Sequence, residues 1–173
     1  MERILLLTGK PGTGKTAIIK EAIAKTRAKA GGFYTEEIRV GGVREGFKIV
    51  TLDNKEAILA HTNISSPHQV SKYKVDINSL NEVGVSALYK AIEEDDVIVI
   101  DEIGKMELLS PQFKGAVLQA IESGKKVLGT IMLAPHPWAD KIKTNPEVRI
   151  FMVIRSNRIQ VLSTILSWLQ STS

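Results

Sequence analysis

Cysteine is absent from this chain of 173 residues, which excludes disulfide bonds and thiolate chemistry and favours a reducing, cytoplasmic location. No apolar run approaches the roughly 20 residues of a membrane-spanning helix, so we expect no membrane association. Residues 1–8 lead straight into a glycine-rich loop without a cleavage site, and we therefore expect no signal peptide. Aromatic residues make up only 5%, and the net charge of +4 comes without a block of like charges, so there is no strong nucleic-acid signal.

Internal repeats, low-complexity tracts and Pro/Ser-rich linkers are also missing, which argues against a modular architecture. A chain of this length can bury roughly 70% of the surface that its unfolded form exposes. Its composition, 43% hydrophobic and 24% charged, is typical of an ordinary globular protein. We therefore predict a single domain over residues 1–173.

What the sequence does contain is a phosphate-binding motif near its start. Residues 9–16, GKPGTGKT, match the pattern G-x-x-x-x-G-K-[ST] between an apolar strand at residues 4–7 and a helix. The glycines let successive backbone N–H groups point into one concavity at a helix N-terminus, which suits a polyanion. Lys15 adds a charge for the β- and γ-phosphates and is a predicted catalytic residue, and the Thr16 hydroxyl is a magnesium ligand. The predicted nucleotide-binding residues of this loop are Gly9, Lys10, Pro11, Gly12, Thr13, Gly14, Lys15 and Thr16.

The other segments alternate between strand-like and helix-like patterns. Continuous apolar runs predict buried strands at residues 4–7, 97–100, 127–132 and 148–154. Helical spacing and capping signals predict helices at residues 15 to about 29, 79–93, 111–123, 137–142 and 158–170, with Asn78 and Ser110 as caps. Glycine turns and polar turns separate β-rich runs at residues 33–40, 46–52 and 56–61, with a short strand near 73–75. We predict an α/β P-loop NTPase fold, a three-layer sandwich whose mostly parallel central sheet carries an antiparallel hairpin extension at one edge.

Two adjacent carboxylates follow the apolar strand at residues 97–100 and supply the second half of the predicted site. Ligands of such sheets bind outside the carboxyl ends of the strands, so Asp101 can hold magnesium opposite Thr16. Glu102, which faces another way, could orient or deprotonate the water that attacks the γ-phosphorus. Glu107 is near enough in sequence to be an alternative base. The predicted cofactor is Mg²⁺, with Thr16 and Asp101 as its protein ligands.

The eight residues 101–108, DEIGKMEL, are similar to the signature of the stand-alone nucleoside-triphosphatases, a family known from thermophiles and as the cancer-related nucleoside triphosphatase. Other segments resemble the same family, at residues 32–37, 44–47, 49–53, 73–75 and 157–158. The resemblance implies magnesium-dependent hydrolysis of nucleoside triphosphates (ATP, GTP, CTP and UTP or TTP) to diphosphate and phosphate, with broad base tolerance. It also implies a second nucleotide-binding segment, formed by Val99, Ile100, Asp101, Glu102, Ile103, Gly104, Lys105 and Met106.

Near its end the chain departs from the family pattern. The family usually has Asn-Arg-Asp there, whereas this chain has Asn157, Arg158 and Ile159. Arg158 itself matches, and we predict that it binds nucleotide. Arg155 and Arg158 could stack on the base or form a surface pair at the start of a helix.

Several other side chains have both a catalytic and a plain structural interpretation. Lys105 could neutralise charge that develops on the phosphates, or it could be a solvated lysine on a turn. Either Arg39 or Arg44, which flank a glycine turn, could be an intramolecular arginine finger, although arginines near a hairpin turn are more often solvated.

Thr130 could bind the γ-phosphate or the attacking water, or it could be a buried hydroxyl with a protein partner. Thr35, Glu36 and Glu37 could likewise reach the nucleotide or lie solvated on a strand edge.

Three classes of function are compatible with a phosphate loop. Small nucleoside or nucleotide kinases usually need an arginine-rich lid, and the sequence contains no arginine-rich insertion. Guanine-specific switches carry an Asn-Lys-x-Asp tetrad, which is missing as well, so a switch would have to be a slow one without guanine specificity. We expect a nucleoside-triphosphatase, with a kinase and a slow nucleotide-dependent switch as the alternatives.

Overall fold

The computed structural model describes residues 2–171, and within them nine strands form one mixed sheet. The strands are β1 (Ile4–Thr8), β2 (Ala30–Val40), β3 (Val43–Thr51), β4 (Glu56–His61), β5 (Gln69–Val70), β6 (Tyr73–Val75), β7 (Val97–Ile103), β8 (Lys126–Ile131) and β9 (Val148–Met152). Their order across the sheet is β5-β6-β4-β3-β2-β7-β8-β1-β9. The pairs from β2 to β9 are parallel, whereas β3, β4, β6 and β5 add antiparallel pairs beyond β2. The predicted parallel core with an antiparallel extension at one edge is therefore confirmed.

Helices cover both faces of the parallel strands. They are α1 (Lys15–Lys25), α2 (Ile77–Ser79), α3 (Ser86–Glu94), α4 (Pro111–Glu122), α5 (Pro137–Lys143) and α6 (Arg158–Gln170). A π-helical segment, Leu80–Val85, joins α2 to α3 in one continuous helix, and short 3₁₀ turns precede α4 and α6. Helices α1 and α6 pack on one face of the sheet and α3, α4 and α5 on the other, which makes a three-layer sandwich. No helix among the described residues is long and apolar enough to cross a membrane.

The first helix is shorter than predicted, and the strand that follows it is longer. Helix α1 ends at Lys25 rather than near residue 29, because Thr26 adopts an extended conformation. Residues 31 and 32 lie inside β2. Gly32 has a φ of +112°, and a Cβ there would lie 2.0 Å from the carbonyl oxygen of Val99. Gly32 therefore allows β2 to lie close against β7, which was not recognised from the sequence.

Three other boundaries differ for identifiable reasons. The helical segment that contains α2 begins at Ile77, and Asp76 caps it in place of Asn78 by accepting a hydrogen bond of 3.0 Å from the Ser79 N–H. Strand β9 ends at Met152 instead of residue 154, and β7 continues through Asp101 to Ile103. The Ser110 hydroxyl caps α4 as predicted, and α4 ends at Glu122, one residue before the predicted end. Helix α6 has its predicted bounds, Arg158–Gln170.

Candidate active site

The phosphate loop connects the end of β1 to the first turn of α1. Three of its glycines, Gly9, Gly12 and Gly14, have positive φ angles, of 145°, 79° and 89°. Positive φ is readily accessible only to glycine, and it lets the chain turn tightly before the helix begins at Lys15. The Lys15 ammonium group donates hydrogen bonds of 2.9 Å to the carbonyl oxygens of Gly9 and Lys10, so it lies over the loop. Backbone N–H groups, a helix N-terminus and a lysine therefore converge where a polyphosphate would bind.

Asp101, near the carboxyl end of β7, is the centre of a buried hydrogen-bond network. Its carboxylate accepts bonds of 2.7 Å from the hydroxyls of Thr16 and Thr130, one on each oxygen. The Thr35 hydroxyl donates to the Asp101 backbone carbonyl at 2.6 Å. Burial raises the pKa of Asp101, while the two threonine hydroxyls and the Lys15 charge lower it. Of the two interpretations of Thr130, the structure therefore supports the buried hydroxyl with a protein partner.

The donor set at this point fits a magnesium ion. Thr16 and Asp101 lie 85 positions apart in the sequence, yet their side-chain oxygens are 2.7 Å apart. A hydroxyl and a carboxylate at the edge of an open cavity are the hard oxygen ligands that Mg²⁺ prefers alongside phosphate oxygens and water. The predicted ligand pair is therefore brought together by the fold, although the metal role itself stays a prediction.

Glu102 and Glu107 occupy different environments. Glu102 is half-buried and lines the cavity next to Asp101, to which a cis peptide bond joins it. Burial raises the pKa of Glu102, the Asp101 charge raises it further, and Lys15 lowers it in part. Glu107 is only 3% exposed, in the short helix that follows β7, and is not among the residues that line the cavity. Of the two candidate bases, Glu102 is the one that a bound substrate can reach.

An open cavity of about 640 Å³ joins these elements. The phosphate loop forms one wall, and Asp101, Glu102 and Thr130 lie at its base. The rest of the lining comes from β2 and β3, with Thr35, Glu37, Arg44 and Phe47, and from the segment after β8, with Met132, Leu133 and Ala134. The volume lies within the range of about 300–1,000 Å³ that is usual for ligand sites. It therefore has room for the triphosphate tail and for groups beyond the γ-phosphate.

The structure distributes the other candidate residues over several locations. The Arg158 guanidinium lies against Gly14, since a Cβ on that glycine would be 2.7 Å from the arginine Cζ. Lys105 is solvent-exposed on a turn beyond β7, and its catalytic role stays a prediction. Glu36 pairs with Lys20 at 2.5 Å on a surface that does not belong to the cavity. In the predicted second nucleotide-binding segment, the residues buried in the sheet are Val99, Ile100, Asp101 and Ile103.

Sequence reasoning missed the apolar part of the cavity wall. Phe47 on β3 and Met132 and Leu133 after β8 carried no motif, although the last two follow the carboxyl end of a parallel strand. Ligands of doubly wound sheets bind at such ends, so the position of this segment was a usable signal. Phe47 had no comparable signal, because its place in the wall depends on how the antiparallel extension folds back.

The fold and the site together define a phosphate-loop NTPase. A family model described as NTPase matches residues 4–166. The nucleoside-triphosphatase THEP1 of Thermotoga sp. (strain RQ2) is 48% identical over 166 residues, covering 96% of this chain and 95% of that protein. The cancer-related nucleoside-triphosphatase of Homo sapiens is 36% identical over 188 residues, covering 99% of both chains. The crystal structure of THEP1 from Aquifex aeolicus matches with a TM-score of 0.89 at 34% identity, covering 97% of this chain and 99% of that one.

The chain belongs to the NTPase family. The resemblance drawn from residues 101–108 is thereby confirmed, as is the prediction of a nucleoside-triphosphatase enzyme.

Proposed function

We propose that the protein hydrolyses nucleoside triphosphates to the diphosphate and inorganic phosphate in a magnesium-dependent reaction. A water oxygen forms a bond to the γ-phosphorus, and the bond between that phosphorus and the β–γ bridging oxygen breaks. The observation that carries the proposal is the meeting of Lys15, Thr16, Asp101 and Glu102 at one cavity. These residues supply phosphate binding, metal ligation and a base within a single site.

Magnesium ligation is assigned to Thr16 and Asp101. When bound, the ion neutralises charge on the phosphate oxygens. Asp101 is held by two hydroxyls on opposite oxygens, so its carboxylate is oriented before the substrate arrives. Lys15, now bonded to loop carbonyls, is free to exchange those neutral acceptors for phosphate oxygens, which bind a cation more strongly.

Glu102 is the residue that we assign to water activation. Its carboxylate lies at the cavity next to the metal ligand, and its raised pKa makes it a better proton acceptor than an ordinary surface glutamate. One carboxylate then serves the metal and its neighbour serves the nucleophile. The proton of the attacking water goes to Glu102 and returns to solvent after phosphate leaves.

Broad base tolerance, over ATP, GTP, CTP and UTP or TTP, is the last part of the proposal. The segment that flanks the loop near Gly14 exposes apolar side chains, of which Met152 and Ile154 are each 50% exposed and Ile159 is 86% exposed. Together with the stacking face of Arg158, these side chains can pack on any base. Apolar contacts do not depend on the hydrogen-bond donors and acceptors of a base, so they favour binding of all bases over selection of one.

Phosphate release from four triphosphates, with and without Mg²⁺, tests the proposal. The wild type should release phosphate from each of them only with the metal and with no added acceptor. Lys15→Ala should lose triphosphate binding, while Lys25→Ala, an exposed lysine on the same helix, should behave as the wild type. Glu102→Gln should still bind nucleotide, and its turnover should be at least tenfold slower than that of the wild type. General bases contribute about 10²-fold or more to the rate, so a tenfold loss is a conservative threshold.

Two outcomes would favour the alternatives. If phosphate leaves ATP only after a nucleoside or nucleotide is added, the protein is a kinase. If turnover stays at background but a partner binds the triphosphate and diphosphate forms with different affinities, it is a switch.

A further inference from the structure

Arg44, on β3, is the one side chain of the antiparallel extension that presents a positive charge to the cavity. It lines the same cavity as Lys15, Thr16 and Asp101, on a strand that lies on the other side of β7 from β1 and the phosphate loop. The extension is not needed to complete the parallel core. A cation from this element at the far side of the nucleotide site therefore calls for an explanation.

The Arg44 guanidinium is held in a fixed orientation by neighbours on three sides. Its Nε donates to the Tyr73 hydroxyl at 2.8 Å, and its Nη1 donates to the Glu37 carboxylate at 3.2 Å. The rings of Phe47 and Tyr73 lie 5.1 Å and 5.6 Å from its Cζ, within the range of cation–π contact. The Nη2 amino group has no protein acceptor among residues 2–171. An oriented guanidinium with unused donors is thus available at the cavity.

Arg39 provides an internal comparison. It lies directly opposite Arg44 in the β2–β3 ladder, and its Nε donates to the other oxygen of the same Glu37 carboxylate at 2.7 Å. Its Nη1, however, donates to the Gly42 carbonyl in the turn at 2.9 Å, and its side chain is 51% exposed. Arg39 does not line the cavity. The two arginines therefore share a partner and a local environment but differ in access to the nucleotide.

The charges around the cavity indicate what Arg44 can do there. Lys15 and a metal held by Thr16 and Asp101 neutralise the triphosphate from the side of the loop. From the side of β2 and β3, Glu37 and Arg44 line the cavity, and Arg44 is the cation on that side that can face the γ-phosphate. Negative charge spreads over the three equatorial γ-phosphate oxygens in the transition state, so a donor on the far side stabilises that state more than the ground state.

We propose that Arg44 is an intramolecular arginine finger, whose guanidinium donates hydrogen bonds to the γ-phosphate oxygens during hydrolysis. The role rests on the proposed hydrolytic function. Arg44 keeps its protons throughout, while the water proton goes to Glu102 and the β–γ bridging oxygen leaves with the diphosphate. Tyr73, which holds Arg44 through its hydroxyl, is a positioning residue for the same step.

Steady-state phosphate release by Arg44→Ala, Arg44→Lys and Arg39→Ala tests the assignment, with the unfolding free energy measured for each variant. Arg44→Ala should lower kcat about 10³-fold with little change in KM, as expected for a transition-state contact. Arg39→Ala, which removes the other partner of Glu37, should keep kcat within about threefold of the wild type. Arg44→Lys keeps the charge but not the planar guanidinium group, so we expect it to lower kcat at least about tenfold. If Arg44→Ala does not fold, the kcat of Arg44→Lys tests the assignment in its place.

A second readout separates catalysis from structure. With a fluorescent diphosphate and aluminium fluoride, which mimics the transferring phosphoryl group, the wild type should form a stable complex and Arg44→Ala should not. Both should bind the triphosphate analogue alone with similar affinity. Tyr73→Phe should lower kcat and weaken the aluminium fluoride complex by an intermediate amount, without affecting binding of the triphosphate analogue.

Each outcome has a distinct meaning. If the wild type turns over and Arg44→Ala matches it, or if Arg39→Ala loses as much as Arg44→Ala, the finger role is refuted while the hydrolytic function stands. If the wild type releases no phosphate under any condition, the proposed function fails and the finger role fails with it.

Discussion

Glu107 offers a sharp test of the electrostatics beneath the active site. The side chain is only 3% exposed, and it forms no ion pair with any lysine, arginine or histidine in the described part of the chain. Burial raises the pKa of Glu107 well above the usual range, the charges of Glu102 and Asp101 raise it further, and backbone hydrogen bonds lower it only in part. The folded protein should therefore hold a proton on Glu107 that the unfolded chain has already released.

The sign of the effect on stability follows from proton binding. An unfolded glutamate releases its proton near pH 4.3, whereas the folded protein keeps the Glu107 proton to a higher pH, so stability falls as pH rises between the two pKa values. The slope is about 1.4 kcal/mol per pH unit for one group. The wild type should therefore lose stability through Glu107 over the whole pH range between the unfolded and the folded pKa. Glu107→Gln cannot ionise and should escape this loss.

Urea unfolding followed by tryptophan fluorescence, at pH values from about 4.5 to 6.5, measures the difference between wild type and Glu107→Gln. The free energy of unfolding of the variant should rise relative to the wild type as pH rises, with a slope that approaches about 1.4 kcal/mol per pH unit. Glu122→Gln, which changes an exposed glutamate on α4, is the control and should show no such trend. A wild-type-minus-variant difference that does not vary with pH would refute a protonated Glu107 and return it to the list of candidate bases.

Three further substitutions probe the contacts that build the site and the sheet. Thr130→Val removes one of the hydroxyls on the Asp101 carboxylate, a charge-assisted bond of roughly 1.5–3 kcal/mol, and should raise the Mg²⁺ concentration for half-maximal phosphate release at least about tenfold. Lys126→Met removes the ammonium group that donates to the Trp168 carbonyl at 2.7 Å at the end of α6, and should lower the unfolding free energy by roughly 1.5–3 kcal/mol without affecting nucleotide binding. Gly32→Ala would put a Cβ 2.0 Å from a carbonyl of β7 and should cost more than about 4 kcal/mol or prevent folding.

Each of these has a matched control. For Thr130→Val the control is Thr164→Val, which removes a hydroxyl that donates to the Gln160 carbonyl of its own helix. For Lys126→Met the control is Lys125→Met, which changes the neighbouring lysine. Gly41→Ala changes a turn glycine where a Cβ would meet nothing within 4 Å, so only its φ of 58° matters and the cost should be about 1–2 kcal/mol. If a control variant loses as much stability or magnesium affinity as the variant it is matched to, the contact named for that variant is not the cause of the loss.

The parts of the site that were predictable are those with a local signal. The phosphate loop carries its own pattern, and the strand before it and the helix after it follow from the spacing of apolar residues. Asp101 was recognisable because four aliphatic residues precede it, which places it at a strand end. The sequence also predicted the antiparallel extension, from β-rich runs separated by glycine turns.

The parts that were not predictable depend on contacts between distant segments. Arg39 and Arg44 lie on either side of the same glycine turn, and nothing local distinguishes them. A bulge between Ile38 and Arg39 and the contact with Tyr73, 29 positions beyond Arg44, place one arginine at the cavity and leave the other near the turn. The partnership of Thr130 with Asp101 is of the same kind, since it joins two parallel strands across 29 residues.

Strand β2 explains how the two halves of the sheet act on one site. Its first residues, Ala30 to Phe33, pair in parallel with β7, and from Phe33 onward it pairs in antiparallel fashion with β3. Thr35 lies two residues beyond Phe33, where the pairing partner changes, and its hydroxyl donates to the Asp101 carbonyl. Glu37, two residues further along β2, accepts a hydrogen bond from Arg44. One strand thus fixes the position of the metal ligand and of the proposed finger relative to each other. Substitutions that loosen the β2–β3 pairing should therefore lower kcat more than they raise KM, because the phosphate loop that binds the substrate lies on the other side of β7.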